Sequence, residues 1–281
     1  YHAPETAEEA LVLLEKHRDD ARLIAGGTAM INLMKQNLIG SDHIIDITHI
    51  PQMDSITLEK NEVHIGALTT HHALETDGII QNHLPFIRDV YQKVATIRVR
   101  NAATVGGGLV HADPAQDPPP ALIILEAYVK LLSSQGTRFL SVSELFLDYY
   151  ESALDPNELL TELIIPIPSQ GIKSTYLKFL PKTQDDYATI SVAALGLMEN
   201  GTCTHVKMAL AGVGSIPIKA TKAEEALLGK EITSALIQEA SETLVEEIDP
   251  LSDFRGSAEY KSDMAVVFAR RALKQVLEPS Q

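Results

Sequence analysis

Apolar residues recur on one helical face at Ala10, Leu11, Leu13 and Leu14. Thr6-Ala7-Glu8-Glu9 precedes them as a capping box, with Glu9 three residues after the cap. Leu23-Ile24-Ala25 reads as a buried strand running into Gly26-Gly27-Thr28, and Ile31, Leu33 and Met34 mark a helix behind that turn. Met30 and Met34 are expected to fill core space. Residues 43–47 and 62–67 are further short strands, and Thr69 or Thr70 is placed to cap the helix after them. Residues 79–95 carry a helical period through Ile80, Leu84, Ile87, Val90, Tyr91 and Val94. Three prolines at 118–120 open a helix, because proline is tolerated in a first helical turn. Residues 128–132 and 138–142 alternate as a hairpin around Gln135-Gly136, and 159–165 form a strand closed by Pro166 and Pro168.

That proline pair, followed by Ser169-Gln170-Gly171, is the best domain boundary, dividing the chain into 1–170 and 171–281. Beyond it, residues 175–179, 188–198 and 203–213 read as three strands, with Asn200-Gly201 as the hairpin signal between the last two. Thr221-Lys222-Ala223-Glu224 looks like another capping box, and helices follow from Lys222, Ser234 and Ala258. The expected fold class is α+β, with a three-stranded antiparallel sheet and helices on one face in the C-terminal part.

Charge and cysteine content narrow the function. The net charge is −15, which disfavours nucleic acid and means that any bound phosphate must be held by local groups against the global field. No apolar run reaches the roughly 18 residues of a membrane span, and no signal peptide is visible. The single cysteine, Cys203, rules out an internal disulfide, a Cys₄ zinc site and an iron–sulfur cluster held by this chain alone. It reads as a small buried strand residue, and the usage fits a reducing cytoplasm. His64, His71 and His72 invite a metal reading, but adjacent helical residues point about 100° apart, so His71 and His72 poorly share one ion. A polar helix start is the simpler account.

Two glycine clusters remain. One is Ala25-Gly26-Gly27-Thr28-Ala29-Met30; the other runs from Arg100 through Thr104-Val105-Gly106-Gly107-Gly108 to Ala112-Asp113-Pro114. Backbone amides in such turns form anion-binding concavities, and two of them suit a ligand with two phosphates. Neither is a Rossmann fingerprint nor a P-loop. On pattern alone, two tight turns at strand ends account for them equally well.

These two segments, with Leu159-Leu160-Thr161-Glu162, Asp185-Asp186-Tyr187-Ala188 and Arg255-Gly256-Ser257-Ala258-Glu259-Tyr260, resemble the FAD-binding medium subunit of the molybdenum hydroxylases, the group of carbon monoxide, xanthine and nicotine dehydrogenases. The similarity runs over nearly the whole chain. It implies a two-part FAD-binding domain of the PCMH (vanillyl-alcohol-oxidase-like) type over 1–170 and a flavoprotein domain over 171–281. It implies that amides of Ala25, Gly26, Gly27, Thr28, Ala29 and Met30 cradle a pyrophosphate. Amides of Thr104, Val105, Gly106, Gly107 and Gly108 would hold its other side, with the Thr104 hydroxyl available. Asp117 would accept a hydrogen bond from a hydroxyl or the adenine end, or else cap the helix that starts at Pro118. Lys178 would place a cation near the flavin, and alternation puts it opposite Leu177 and Phe179. Tyr187 would pack on the ring or gate it, unless it is an ordinary half-buried strand aromatic. Leu160 and Leu163 would line the ring edge or simply pack the core. His111-x-Asp113-x-x-x-Asp117 could ligate a metal, although its place directly after the glycine loop favours support of that loop. The resemblance therefore assigns no metal to this chain.

The implied function is electron transfer. A molybdenum cofactor on a large subunit oxidises the substrate, two [2Fe-2S] clusters on a small subunit relay electrons, and FAD on this chain passes them to an external acceptor. The expected assembly is a cytoplasmic dimer of heterotrimers. The chain departs from the family at Ala29 and Gly108, where a polar residue and Asn or Ser are usual. Two other readings stay open: a self-sufficient flavin oxidase of vanillyl-alcohol-oxidase type, and a scaffold with a degenerate flavin site.

Overall fold

The computed structural model describes residues 1–180, 183 and 186–278. Helix α1 (Ala7–His17) starts where expected: the Thr6 hydroxyl accepts from the Glu9 amide at 3.1 Å. Glu9 does not close the box on Thr6; its carboxylate takes the Glu5 amide instead. Strands β1 (Ala21–Ile24) and β2 (His43–Asp46) pair in parallel, with α2 (Met30–Lys35) between them in sequence. Helix α2 buries none of its side chains, and Ile31 and Met34 are exposed. Met34 is thus not core filler: a six-residue helix lying outside the sheet has too little neighbouring surface to bury it.

The second unit is a five-stranded antiparallel sheet. It contains β3 (Ile56–Glu59), β4 (Glu62–Gly66), β5 (Tyr128–Ser133) and β6 (Gly136–Ser141). A small hairpin follows, β7 (Phe146–Asp148) with β8 (Glu151–Ser152), and then β9 (Leu159–Pro166). The spatial order is β3-β4-β9-β5-β6, so the last strand in sequence inserts at the centre. Leu163 stands between Ile65 and Val129 across that centre, fully buried. Helices α3 (His71–Thr76), α4 (Gly78–His83), α5 (Pro85–Tyr91), α6 (Ile97–Arg100), α7 (Val105–His111) and α8 (Pro118–Ile124) fill the long crossover between β4 and β5. The period at 79–95 is interrupted: Pro85 begins α5 and leaves Leu84 outside the helical region at φ −134°. A proline inside a helix lacks the N–H for the preceding turn and clashes with its carbonyl.

The C-terminal sheet has four strands where three were expected. These are β10 (Lys173–Phe179), β11 (Ile190–Glu199), β12 (Thr202–Ala211) and a two-residue edge strand β13 (Ile218–Lys219) on Ala209 and Leu210. Two residues carry no alternation, so β13 left no pattern to read. The Asn200-Gly201 turn joins β11 and β12 with φ of 51° and 84°, as a two-residue hairpin demands. Helices α9 (Thr221–Leu227), α10 (Ser234–Glu242) and α11 (Ala258–Leu277) cover one face. Ala220, not Thr221, sits at the α9 cap, and Glu224 turns away to accept the Met208 amide at 2.9 Å. The expected capping box is therefore absent, its carboxylate tying helix to sheet. Cys203 is free and buried on β12.

The two faces of this sheet serve different cores. Leu177, Ile190, Val192 and Ala194 pack under α9–α11. Tyr176, Ala193, Leu195 and Ala209 belong to the core of the N-terminal part. Strand alternation sends neighbouring side chains to opposite faces, so one sheet closes both. Among the described residues no helix is long and apolar enough to cross a membrane.

Because Leu163 is fully buried at the centre of the larger sheet, Leu163→Ala should cost about 2–5 kcal/mol in denaturant unfolding.

Candidate functional site

The two glycine segments meet. Gly26 lies directly on the second segment: a Cβ there would fall 1.8 Å from the Ala102 carbonyl oxygen and 3.1 Å from the Ala103 Cα. No side chain fits, because the obstacle is backbone. Gly27 has φ +68°, which an L side chain rarely adopts. A Cβ at Gly107 would lie 3.9 Å from that of Ala25. The two bends therefore form one surface.

They differ in what they offer. Gly26, Gly27, Thr28, Ala29 and Met30 donate their backbone N–H groups to no acceptor among the described residues. Ala29 occupies the α2 cap and offers no side-chain acceptor of its own. Gly26, Gly27 and Thr28 precede the helix, and the Ala29 and Met30 amides at its start have no intrahelical partner. Residues 25–30 are all half-buried.

The second segment is engaged with protein. Val105 N donates to Thr69 O at 2.9 Å, Gly106 N to Ala67 O at 2.8 Å and Gly108 N to Thr104 O at 3.0 Å. Thr104 caps α7 by accepting from Gly107 N at 3.2 Å. The expected row of free donors from Thr104 to Gly108 is thus largely used internally. The Thr104 hydroxyl keeps its proton to donate, and Gly107 is the exposed residue of the run. This segment supplies close approach more than charge. Gly108 is not sterically required, since a Cβ would meet His71 Nε2 at 3.6 Å and Gln116 Oε1 at 3.7 Å, ordinary contacts.

Behind α7 the chain passes Asp113 and reaches Asp117, which is buried and does not cap α8. Its carboxylate accepts from Tyr176 Oη at 2.5 Å and from Lys178 Nζ at 2.9 Å. Lys178 also donates to the Lys93 carbonyl at 2.9 Å, and Lys93 Nζ donates to the Tyr176 carbonyl at 2.9 Å. Lys178 is therefore no solvated strand lysine: its side chain is 4% exposed. Burial pushes the Asp117 carboxyl up, while Lys178 and the Tyr176 hydroxyl pull it back. Burial and the same carboxylate push the Tyr176 phenol well up, so it stays a donor.

Tyr187 lies in the loop before β11 and not on a strand; Asp185 beside it falls outside the described residues. Burial, then Asp113, Tyr150 and Asp117, push its phenol up. The Arg255 guanidinium sits 5.8 Å from its ring centre. Tyr187 and Lys178 thus share a neighbourhood through Asp113 and Asp117. Leu160 and Leu163 do not join them: both are core residues of β9, 4% and 0% exposed, and present almost no surface to a ring.

The metal readings do not assemble. Asp113 accepts from the Ala115 amide at 2.9 Å and lies 3.4 Å from the Tyr150 hydroxyl, and Asp117 is committed to Lys178. His64 faces Glu162 at 3.4 Å on β4, and His72 faces Glu75 at 3.6 Å on α3. Pattern reading missed Tyr176, Lys93, Tyr150 and Arg255 as partners. Only Tyr176 left a signal, two residues before Lys178 on one strand face.

The residues fit an anionic, ring-bearing cofactor such as FAD. Five free amides suit diphosphate oxygens, and hydrogen bonds to a charged acceptor are each worth about 1.5–3 kcal/mol. The buried Lys178 ammonium is anchored by Asp117 and the Lys93 carbonyl.

Gly26→Ala should destabilise the protein by about 1–3 kcal/mol through forced backbone separation and strip it of flavin. Gly108→Ser should leave both unfolding midpoint and flavin-to-protein absorbance ratio near wild type. His71 gives a pH test. It is buried, its Nδ1 has no partner among the described residues, and burial holds its pKa down to about 4. The unfolded chain protonates it near 6.5, so stability is lost as pH falls from about 6.5 to about 4 and no further below. The loss is on the order of 3 kcal/mol. Urea melts of wild type and His71→Gln across that range should show the slope difference.

Family models match both parts of the chain: the FAD binding domain in molybdopterin dehydrogenase over residues 1–168, and the CO dehydrogenase flavoprotein C-terminal domain over 175–276. The carbon monoxide dehydrogenase medium chain of Hydrogenophaga pseudoflava is 34% identical over 97% of this chain and 95% of its own length. The glyceraldehyde dehydrogenase medium chain of Sulfolobus acidocaldarius is 30% identical, over 98% and 97%. A solved carbon monoxide dehydrogenase from Hydrogenophaga pseudoflava, lacking the Mo-pyranopterin moiety of its molybdenum cofactor, superposes with a TM-score of 0.95 at 35% identity, covering 98% of this chain and 96% of that one. With both domain models matched in order and the glycine segments in contact, the chain belongs to the FAD-binding medium-subunit family of the molybdenum hydroxylases.

Proposed function

We propose that this chain binds FAD without a covalent bond and serves as the electron-transferring medium subunit of a multi-subunit molybdenum hydroxylase. The observation that carries the reading is the row of unpaired amides at Gly26 to Met30, held against the second glycine segment. Those amides hold the diphosphate, with the Thr104 hydroxyl and the exposed edge of Gly107 completing the wall. Bound FAD supplies reversible two-electron chemistry.

The chain's own residues set the conditions for that chemistry. Lys178 is the cation assigned to the flavin in this reading, and its ties to Asp117 and the Lys93 carbonyl keep it in place. A cation close to a flavin ring favours the reduced, negatively charged form. Tyr187 keeps its phenolic proton and acts as a donor or a gate, not as a base. The local donors oppose the net charge of −15, so the phosphates are held by geometry and not by a basic surface.

Partners follow from what this chain lacks. With one buried cysteine it holds no iron–sulfur cluster, so electrons arrive from an iron–sulfur small subunit with two [2Fe-2S] clusters, fed by a molybdopterin large subunit. Relatives named for carbon monoxide and for glyceraldehyde share this architecture, which fits a substrate chosen on the large subunit. A dimer of heterotrimers in the cytoplasm, built on a PCMH-type flavin domain, completes the proposal.

The isolated chain should bind FAD to about one per chain and turn over no substrate by itself. Acid precipitation should leave the yellow colour in the supernatant. Colour held in the pellet, or turnover by the chain alone, would point to a self-sufficient oxidase; absence of flavin bands would point to a scaffold.

A further inference from the structure

We propose that His2, His17 and His43 form a binding site for a divalent transition metal of the zinc type, which ties together the outer ends of α1, β1 and β2. The three come from different elements. His2 lies on the segment before α1, His17 is the last residue of α1, and His43 is the first of β2. Their candidate ligand nitrogens all lie within 4.8 Å of one another. Among the described residues no other group of three histidine, cysteine or carboxylate side chains is gathered this closely.

The arrangement is held by backbone. His2 N donates to Ile44 O at 2.8 Å and His2 O accepts from Asp46 N at 2.8 Å, so this residue is clamped along β2. His43 is fixed by pairing with Ala21, and its carbonyl accepts from the Ser41 hydroxyl at 2.9 Å. The rings then crowd: His17 and His43 stack at 3.6 Å, and His2 lies 5.3 Å from each. His2 Nε2 and His43 Nδ1 are 3.1 Å apart. Two nitrogens on a tetrahedral zinc, each about 2.0–2.1 Å from the metal, stand about 3.4 Å apart, so this pair is already spaced for a shared ion. His17 Nε2 is buried and has no partner among the described residues, which leaves it as the third donor.

The chemistry selects the ion. Three imidazoles suit Zn²⁺, Cu²⁺ or Ni²⁺ and not Mg²⁺ or Ca²⁺, which take oxygen ligands. Ligation needs neutral rings. The site's role is structural. β1 leaves the cluster at Ala21 and enters the glycine turn after Ile24, so the ion sits roughly 13 Å of strand away from the amides. It anchors the far end of the strand that presents them. The inference does not depend on the flavin reading.

The test is zinc titration of the full chain after chelator treatment, followed by calorimetry and, with Co²⁺ in its place, by visible absorption. One ion per chain should bind, and the unfolding midpoint should rise with zinc but not with Mg²⁺. His17→Ala and His43→Ala should each weaken binding by at least the roughly tenfold that loss of even an outer partner costs a metal site. Both should lose the zinc-dependent rise while keeping normal flavin content. His2→Ala, on the segment before α1, repeats the test if either variant folds poorly. No stoichiometric binding, or binding undiminished in the variants, overturns the proposal and leaves an imidazole hydrogen-bond cluster.

Discussion

The contact between Gly26 and the Ala102–Ala103 backbone is the constraint on which the rest of the site depends. Two stretches some seventy-five residues apart in sequence approach so closely that not even a methyl group separates them. Because each is backbone, neither can yield by changing rotamer. The approach sets the first turn at a fixed height beside α7, and the free amides of Gly26 to Met30 inherit that position. A binding surface made of main chain is rigid in a way that long side chains are not, and it needs little reorganisation when an anion arrives.

The second tie is electrostatic. Lys178 and Asp117 form a buried ion pair across the joint between the N-terminal part and the C-terminal sheet. Burial alone would penalise both charges, and such a pair is weak evidence of net stability. Its partners argue for a positioning role. Tyr176 satisfies one carboxylate oxygen and the Lys93 carbonyl takes a second lysine proton, so neither group is left half-paired. Since Tyr176 and Lys178 share a face of β10, the strand that packs against the N-terminal core also delivers the cation. Packing and site chemistry are therefore one arrangement.

The same economy is visible in the two helix starts. Thr104 caps α7 with its own hydroxyl, whereas Ala29 leaves α2 uncapped. One helix start is finished by its own side chain; the other has no side-chain cap.

Much was legible along the chain because it is local. The Thr6 cap, the Asn200-Gly201 hairpin, the alternation of β10–β12 and the glycine turn at 26–27 all depend on neighbours a few residues apart. The family resemblance singled out both glycine segments, Asp117, Lys178 and Tyr187 as candidates. What required the folded molecule is long-range. No local rule says that β9 inserts between β4 and β5, which turns Leu160 and Leu163 into core, or that the Asp117 side chain leaves its own helix for Lys178. Nor could spacing bring His2, His17 and His43 together, since their proximity is made by parallel strand pairing and helix packing. Sequence by itself determined which backbone segments are able to turn and which side chains carry charge. Tertiary structure decided which amides stay free and which charges are paired, because both depend on partners supplied by distant parts of the chain.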